Sequence, residues 1–169
     1  MAYFLGIDAS TGVLVADFED TINGGNHPVT GTAVVTSNVW HHVAAVYNTA
    51  TDTWQLYLDG ALDRTLALGG NFTPESTSIQ RAAVGSAQTS NGTAAGFFQG
   101  QVDEVRIWNV ARTGTQIAQT RFDEVTSGTG LLGRYGMNEG SGTNVANSTE
   151  PRQTKTPAGT FLTFEPTST

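Results

Sequence analysis

The feature that most constrains this chain is its punctuation. About nine short runs of aliphatic, aromatic and β-branched residues recur at spacings of roughly 8–12 residues, separated by clusters of Gly, Asn, Asp, Ser, Thr and Pro. The runs cover residues 3–7, 13–19, 32–35, 40–47, 54–58, 62–68, 80–84, 102–108 and 131–137. Side chains in most of them alternate between two faces, as in half-buried strands. Asp59-Gly60, between two such runs, is a hairpin signal. A parallel sheet would need regular crossover helices, and the sequence offers one helix only. Thr113 with Gln116 three residues on has the capping-box spacing, which predicts a short helix near 113–122 carrying Ile117, Arg121 and Phe122 on one side. The fold class is therefore all-β, an antiparallel two-sheet sandwich.

Charge narrows the partners. Eight Lys and Arg stand against 15 Asp and Glu, a formal net charge of −7. Nucleic acid and anionic membrane surfaces both demand a positive face, so neither is expected. No apolar run approaches the ~18 residues that would insert in a membrane. Met1 leads straight into Tyr3-Phe4-Leu5, so no signal peptide is expected within this stretch. With no cysteine, disulfides and thiolate metal sites are excluded.

The most telling run is Val102 to Trp108. Val105 and Ile107 share one face, and Asp103 has the same parity. A carboxylate heading an apolar row needs a cation or several donors, because burying it unpaired is costly. Asp103 is thus the first candidate for a structural metal site, against the plainer reading that it caps a turn or pairs with an arginine. Asp17, Glu19 and Asp20, followed by Asn26 and His27, form the densest acidic patch. It reads either as a loop calcium site or as a solvated acidic edge.

Trp54 and Tyr57 are candidates for stacking on a sugar ring, although Trp54 shares parity with Leu56 and Leu58, which favours the core. The loops 85–96 and 23–31, the latter with Asn26 and His27, are polar and suited to rim binding. His41 and His42 are adjacent in a run and face opposite sides, so they read as core or interface residues. No nucleophile-elbow pattern is present, and Gly140-Ser141-Gly142 is no dinucleotide loop. Residues 143–169 read as irregular.

Three motifs in order, Trp40-His41-His42-Val43-Ala44, Leu56-Tyr57-Leu58-Asp59-Gly60 and Phe98-x-Gly100-x-Val102-Asp103-Glu104-Val105-Arg106-Ile107-Trp108-Asn109, resemble the laminin-G-like (pentraxin-like) modules of the concanavalin A-like superfamily. The resemblance covers roughly residues 3–122. It implies a two-sheet jelly roll, often with a structural calcium, from secreted or surface-attached multi-module bacterial proteins. It also implies that Asp103 coordinates that calcium, with Glu139 close by if the last run folds back. Retaining glucanases of this fold place alternating acids along one strand face. Here Asp17 and Glu19 fit, but the third position is Val15, so no enzyme activity is expected.

The chain departs from the family in lacking the usual opening strands, while residues 130–143 resemble the start of a following module. The expected organisation is a partial module over 1–125, then 126–169 as linker plus the opening strand of a next or permuted module. A sheet short of its cover predicts a homo-oligomer, most simply a dimer. The function expected is recognition of carbohydrate or a protein surface, with a structural spacer as the rival and a glycoside hydrolase as the distant third.

Overall fold

A computed structural model of the chain describes residues 3–77, 82–89, 91–142, 144–149 and, as backbone, 163–164. Strands β1 (Tyr3–Ile7), β2 (Val13–Phe18) and β3 (Val29–Val34) form an antiparallel sheet in chain order. A larger sheet is built on β4 (Val43–Asn48), β5 (Thr53–Leu58) and β6 (Ala61–Ala67), an antiparallel meander. It continues through β11 (Thr163–Phe164) and β9 (Val105–Trp108) to β10 (Leu131–Tyr135), giving the order β10-β9-β11-β4-β5-β6. A small hairpin, β7 (Ala87–Gln88) with β8 (Ala94–Ala95), stands apart.

The two sheets close on a core whose members follow the period-2 pattern. Leu5, Leu14, Ala16, Phe18 and Val29 come from the small sheet, and Val43, Ala45, Tyr47, Trp54 and Leu56 from the large one. Each large side chain fully buried there contributes roughly 1.5–3 kcal/mol. The opposite face of the large sheet is also covered. Ala44, Val46, Tyr57, Trp108 and Leu131 pack with Ile117 of helix α1 (Gly114–Thr120). That is why β4 is apolar on both faces, with Val43 to Tyr47 all buried. The helix begins as the sequence predicts. Thr113 Oγ1 accepts the Gln116 N–H at 3.2 Å, and Gln116 Oε1 accepts the Thr113 N–H at 2.9 Å. Ile117 is buried, but Phe122 is 63 % exposed, with Arg121 over its ring.

Several boundaries move. β3 starts at Val29, inside the predicted loop, because Val29 pairs with Ala16 and fills the core. β4 starts only at Val43, so Trp40, His41 and His42 lead into it. Residues 80 and 81 of the expected strand lie outside the described residues, and 82–84 are not strand. Loop 85–96 holds the β7–β8 hairpin, turned at Gly92 with φ 77°.

Alternation also fails at the head of β9. Glu104 is left-handed, with φ 51°, so Asp103 precedes the strand instead of heading its apolar row. Glu104 is buried, with its carboxylate held by Arg134 Nε at 2.9 Å, by Arg134 Nη2, and by Arg106 Nη2 at 3.3 Å. This pairing ties β10 to β9, and the run 131–137 folds back onto the sandwich antiparallel to β9. Residues 144–149, expected to be irregular, lie along it through the Ser148 N–H to the Arg134 carbonyl, 2.9 Å. Thr163 pairs with both Ala44 and Arg106. The run read as the opening of a following or permuted module thus joins this chain's own large sheet, as does β11.

The edge of β3 is guarded by an acid from the opposite sheet. Asp63 on β6 accepts the N–H groups of Thr32 and Ala33, at 3.0 and 2.9 Å, and the Thr32 hydroxyl at 2.8 Å. A Cβ at Gly31 would collide with that carboxylate. Occupied donors cannot template another strand.

Candidate functional site

On the outer face of the small sheet lies an open groove of about 320 Å³, lined by Phe4, Asp17, Glu19, Asn26 and Ala87. Strand geometry assembles it. Phe4 on β1 is directly opposite Asp17 on β2, and Glu19 is bridged to Asn26. Phe18 between the two acids points into the core, so Asp17 and Glu19 share the outer face. The Phe4 ring lies over Gly6, the next residue on its face of β1, where a Cβ would collide with the ring. The glycine thus lets an aromatic ring lie along the strand. Ala87 brings the β7 hairpin to the rim, so both loops singled out for rim binding, 23–31 and 85–96, meet at this groove.

Asp17 Oδ1 accepts the backbone N–H of His27 at 2.7 Å. Burial pushes the Asp17 carboxyl up from its usual value, against the lowering effect of that N–H. Asp20 is built differently. It is buried and turned into its own loop, accepting the N–H groups of Ile22 (2.8 Å) and Asn23 (3.0 Å). Its other oxygen meets His27 Nε2 at 2.7 Å. These bonds, that of Asn23 foremost, lower its pKa. The acidic patch therefore separates: Asp17 and Glu19 face the groove, and Asp20 holds the 20–25 turn. The His27 ring is not in the groove lining either, since it packs against Phe72 at 3.9 Å and Phe18 at 4.8 Å between ring centroids.

Of the two aromatic candidates, Trp54 takes the core place its parity favoured and Tyr57 is corrected. Trp54 is 2 % exposed, packed on Phe18 and Tyr47, with its indole N–H donated to the His27 carbonyl at 2.9 Å. Tyr57 is 4 % exposed in the core beneath the helix. Neither offers a ring face to a sugar. Phe4, missed in the sequence, is the aromatic at the groove. The available signal was Gly6, two residues on and on the same face.

The calcium set implied by the resemblance does not fit the described side chains. Asp103 is buried, its Oδ1 accepts the Glu104 N–H at 2.8 Å, and it lies within the field of Arg134. Glu139 is exposed, and its Oε1 accepts the Ala146 N–H at 2.8 Å, which lowers its pKa. Among the described residues no three His, Cys, Asp or Glu side chains form a metal-binding group. His42 is buried, whereas His41 links Thr36 Oγ1 to Asp59 Oδ2, both at 2.8 Å, and clips the entry of β4 to the β5–β6 turn.

An antiparallel β-sandwich of two sheets is the architecture expected of the jelly-roll lectins and glucanases. The chain belongs to this group: residues 2–118 match the Laminin_G_3 family model of the concanavalin A-like lectin/glucanases superfamily. No curated protein sequence matches it. Among solved structures, it is similar to a "putative carbohydrate binding protein" from Bacteroides ovatus ATCC 8483, at 21 % identity and TM-score 0.67. That match covers 95 % of this chain and 44 % of the other, so the chain spans less than half of that structure's length. A second match is an S-layer domain-containing protein (residues 221–444) from Clostridium thermocellum ATCC 27405. It stands at 17 % identity and TM-score 0.41, covering 69 % of this chain and 60 % of that one. Among the described residues no helix is long and apolar enough to cross a membrane.

Proposed function

We propose that this chain is a carbohydrate-binding module without catalytic activity, and that its ligand lies in the groove over β1 and β2. The observation that carries this reading is the Phe4 ring lying over Gly6 with Asp17, Glu19 and Asn26 beside it. An aromatic face packs against the C–H face of a pyranose, while carboxylates and an amide take its hydroxyls. The groove volume falls at the low end of small-ligand sites, about 300–1,000 Å³. Membership of a superfamily of lectins and glucanases supports a sugar, as does the carbohydrate-binding name of the Bacteroides ovatus structure. Binding without turnover is supported by Val15 at the position of a third acid and by the His27 N–H on Asp17. We place the parent protein outside the cell or on its surface, where polymeric sugars occur.

A glycan array probed with the purified chain tests the reading, followed by titration calorimetry on the best ligand with wild type and Phe4→Ala. Loss of stacking is worth about 0.5–1.5 kcal/mol beyond area, so the variant should bind roughly tenfold more weakly. An array with no specific binder overturns the proposal and leaves the spacer role. Undiminished binding by Phe4→Ala moves the site elsewhere.

A further inference from the structure

The rim of the groove at Ala87 runs directly into a second pair of aromatic rings. Ala87 is paired with Ala95 across the β7–β8 hairpin, and a Cβ at Gly96 would stand 3.8 Å from the Ala87 methyl. Gly96 is left-handed, with φ 58°, and turns the chain out of the hairpin. Phe98 then closes the base of the same hairpin, its N–H donated to the Gly85 carbonyl at 2.8 Å. The two residues after the turn, Phe97 and Phe98, are 71 % and 47 % exposed. Since consecutive Cα atoms lie about 3.8 Å apart, the Phe97 backbone stands within about 9 Å of the Ala87 methyl.

Phe98 also repeats the arrangement of Phe4. A glycine follows each two residues on, Gly6 and Gly100, and a Cβ on either would collide with the ring. Each ring therefore lies flat along its own backbone. Gln99 and Gln101 beside Phe98 are exposed, and residues 97–101 carry no charge. A flat ring covers the C–H face of a pyranose, and neighbouring amides serve its hydroxyls as donors and acceptors. The groove alone, about 320 Å³, is at the low end for a small ligand, so a polymer lying in it must extend beyond it. On the reading proposed above, we infer that the site takes a chain of linked sugar units, which leaves the Phe4 groove across Ala87 and stacks on Phe97 and Phe98. The ligand class is thus a polysaccharide segment and not a single sugar.

The test is titration calorimetry with β-1,4-linked glucose, mannose, xylose and N-acetylglucosamine, each as a series from the monosaccharide to the hexasaccharide. In a series that binds, affinity should rise roughly tenfold between the disaccharide and the hexasaccharide. Phe97→Ala/Phe98→Ala should abolish that rise and leave the disaccharide's affinity unchanged, whereas Phe4→Ala should weaken every length. Phe97→Tyr/Phe98→Tyr, which keeps both ring faces, should retain the rise. Both rings are exposed, so the alanine variant should melt with wild type. A fall of several degrees would show that the rings are packed in the fold, and overturns the inference. An affinity independent of length, or a rise that survives the alanine variant, overturns it while leaving the Phe4 site standing. No binding of any series overturns it too, and together with a blank array overturns the sugar reading as well.

Discussion

Replacing Arg134 by methionine should cost this chain more stability than any other surface-proximal change in its last third. The reason lies at Glu104, 2 % exposed and accepting from Arg134 Nε at 2.9 Å and from Arg134 Nη2. Arg134 is itself 5 % exposed. Its contact with Glu124 at 3.2 Å involves a carboxylate 60 % exposed and adds little. Removing the guanidinium leaves Glu104 in the interior with Arg106 at 3.3 Å as its remaining charged partner. Breaking a buried pair by removing one member costs about 3–5 kcal/mol. For a chain of this size that lowers Tm by about 6–20 °C, at ~2–4 °C per kcal/mol. Urea unfolding followed by tryptophan fluorescence reads the change, since Trp108 is buried next to this network on the same strand. Glu104→Gln should cost a similar amount. The double variant should be less damaged than the sum of the two, with a coupling of about 0.5–3 kcal/mol. Glu104 lies inside the span matching the family and Arg134 beyond it, so the cycle also asks whether β10 belongs to the same folding unit. Melting of Arg134→Met within a degree or two of wild type would refute the reasoning and detach β10 from the sheet.

Acid stability follows from Asp52. Burial raises its carboxyl pKa, but the Tyr47 hydroxyl at 2.7 Å and the backbone N–H groups of residues 69–71 outweigh that and bring it below the usual value. Burial of Tyr47, and then the same contact, push the phenol up. A carboxyl lowered on folding stabilises above its unfolded pKa and loses that contribution as pH falls toward the folded value. Stability should therefore decline below about pH 4, and Asp52→Asn should flatten the Tm–pH curve there. An unchanged slope would remove Asp52 from the account. Melting in millimolar calcium against chelator tests the ion expected at Asp103. The two curves should coincide, because Asp103 caps the Glu104 N–H and faces Arg134. A calcium-dependent rise of several degrees would show that backbone oxygens complete a site there.

Alternation and turn residues determined the class of this protein and most of its strands. They act locally: Leu14, Ala16 and Phe18 can share a face only in a strand, and Thr113 with Gln116 closes a cap within four residues. The two polar loops were legible for the same reason. The sequence did not reveal that the loops meet over Asp17 and Glu19, because Ala87 reaches them only after the sandwich has closed. Parity with Leu56 and Leu58 already pointed Trp54 to the core, but only the packing of two sheets and a helix decided that Tyr57 is buried and that Phe4 lies at the groove. Asp103 looked like the head of an apolar row until the left-handed Glu104 broke the parity. Glu104 itself takes its role from Arg134, thirty residues away in the chain. Local pattern thus sets which elements form. Which charge is neutralised, which acid faces the groove and which strand completes the sheet depend on partners distant in sequence, and only the tertiary structure brings them together.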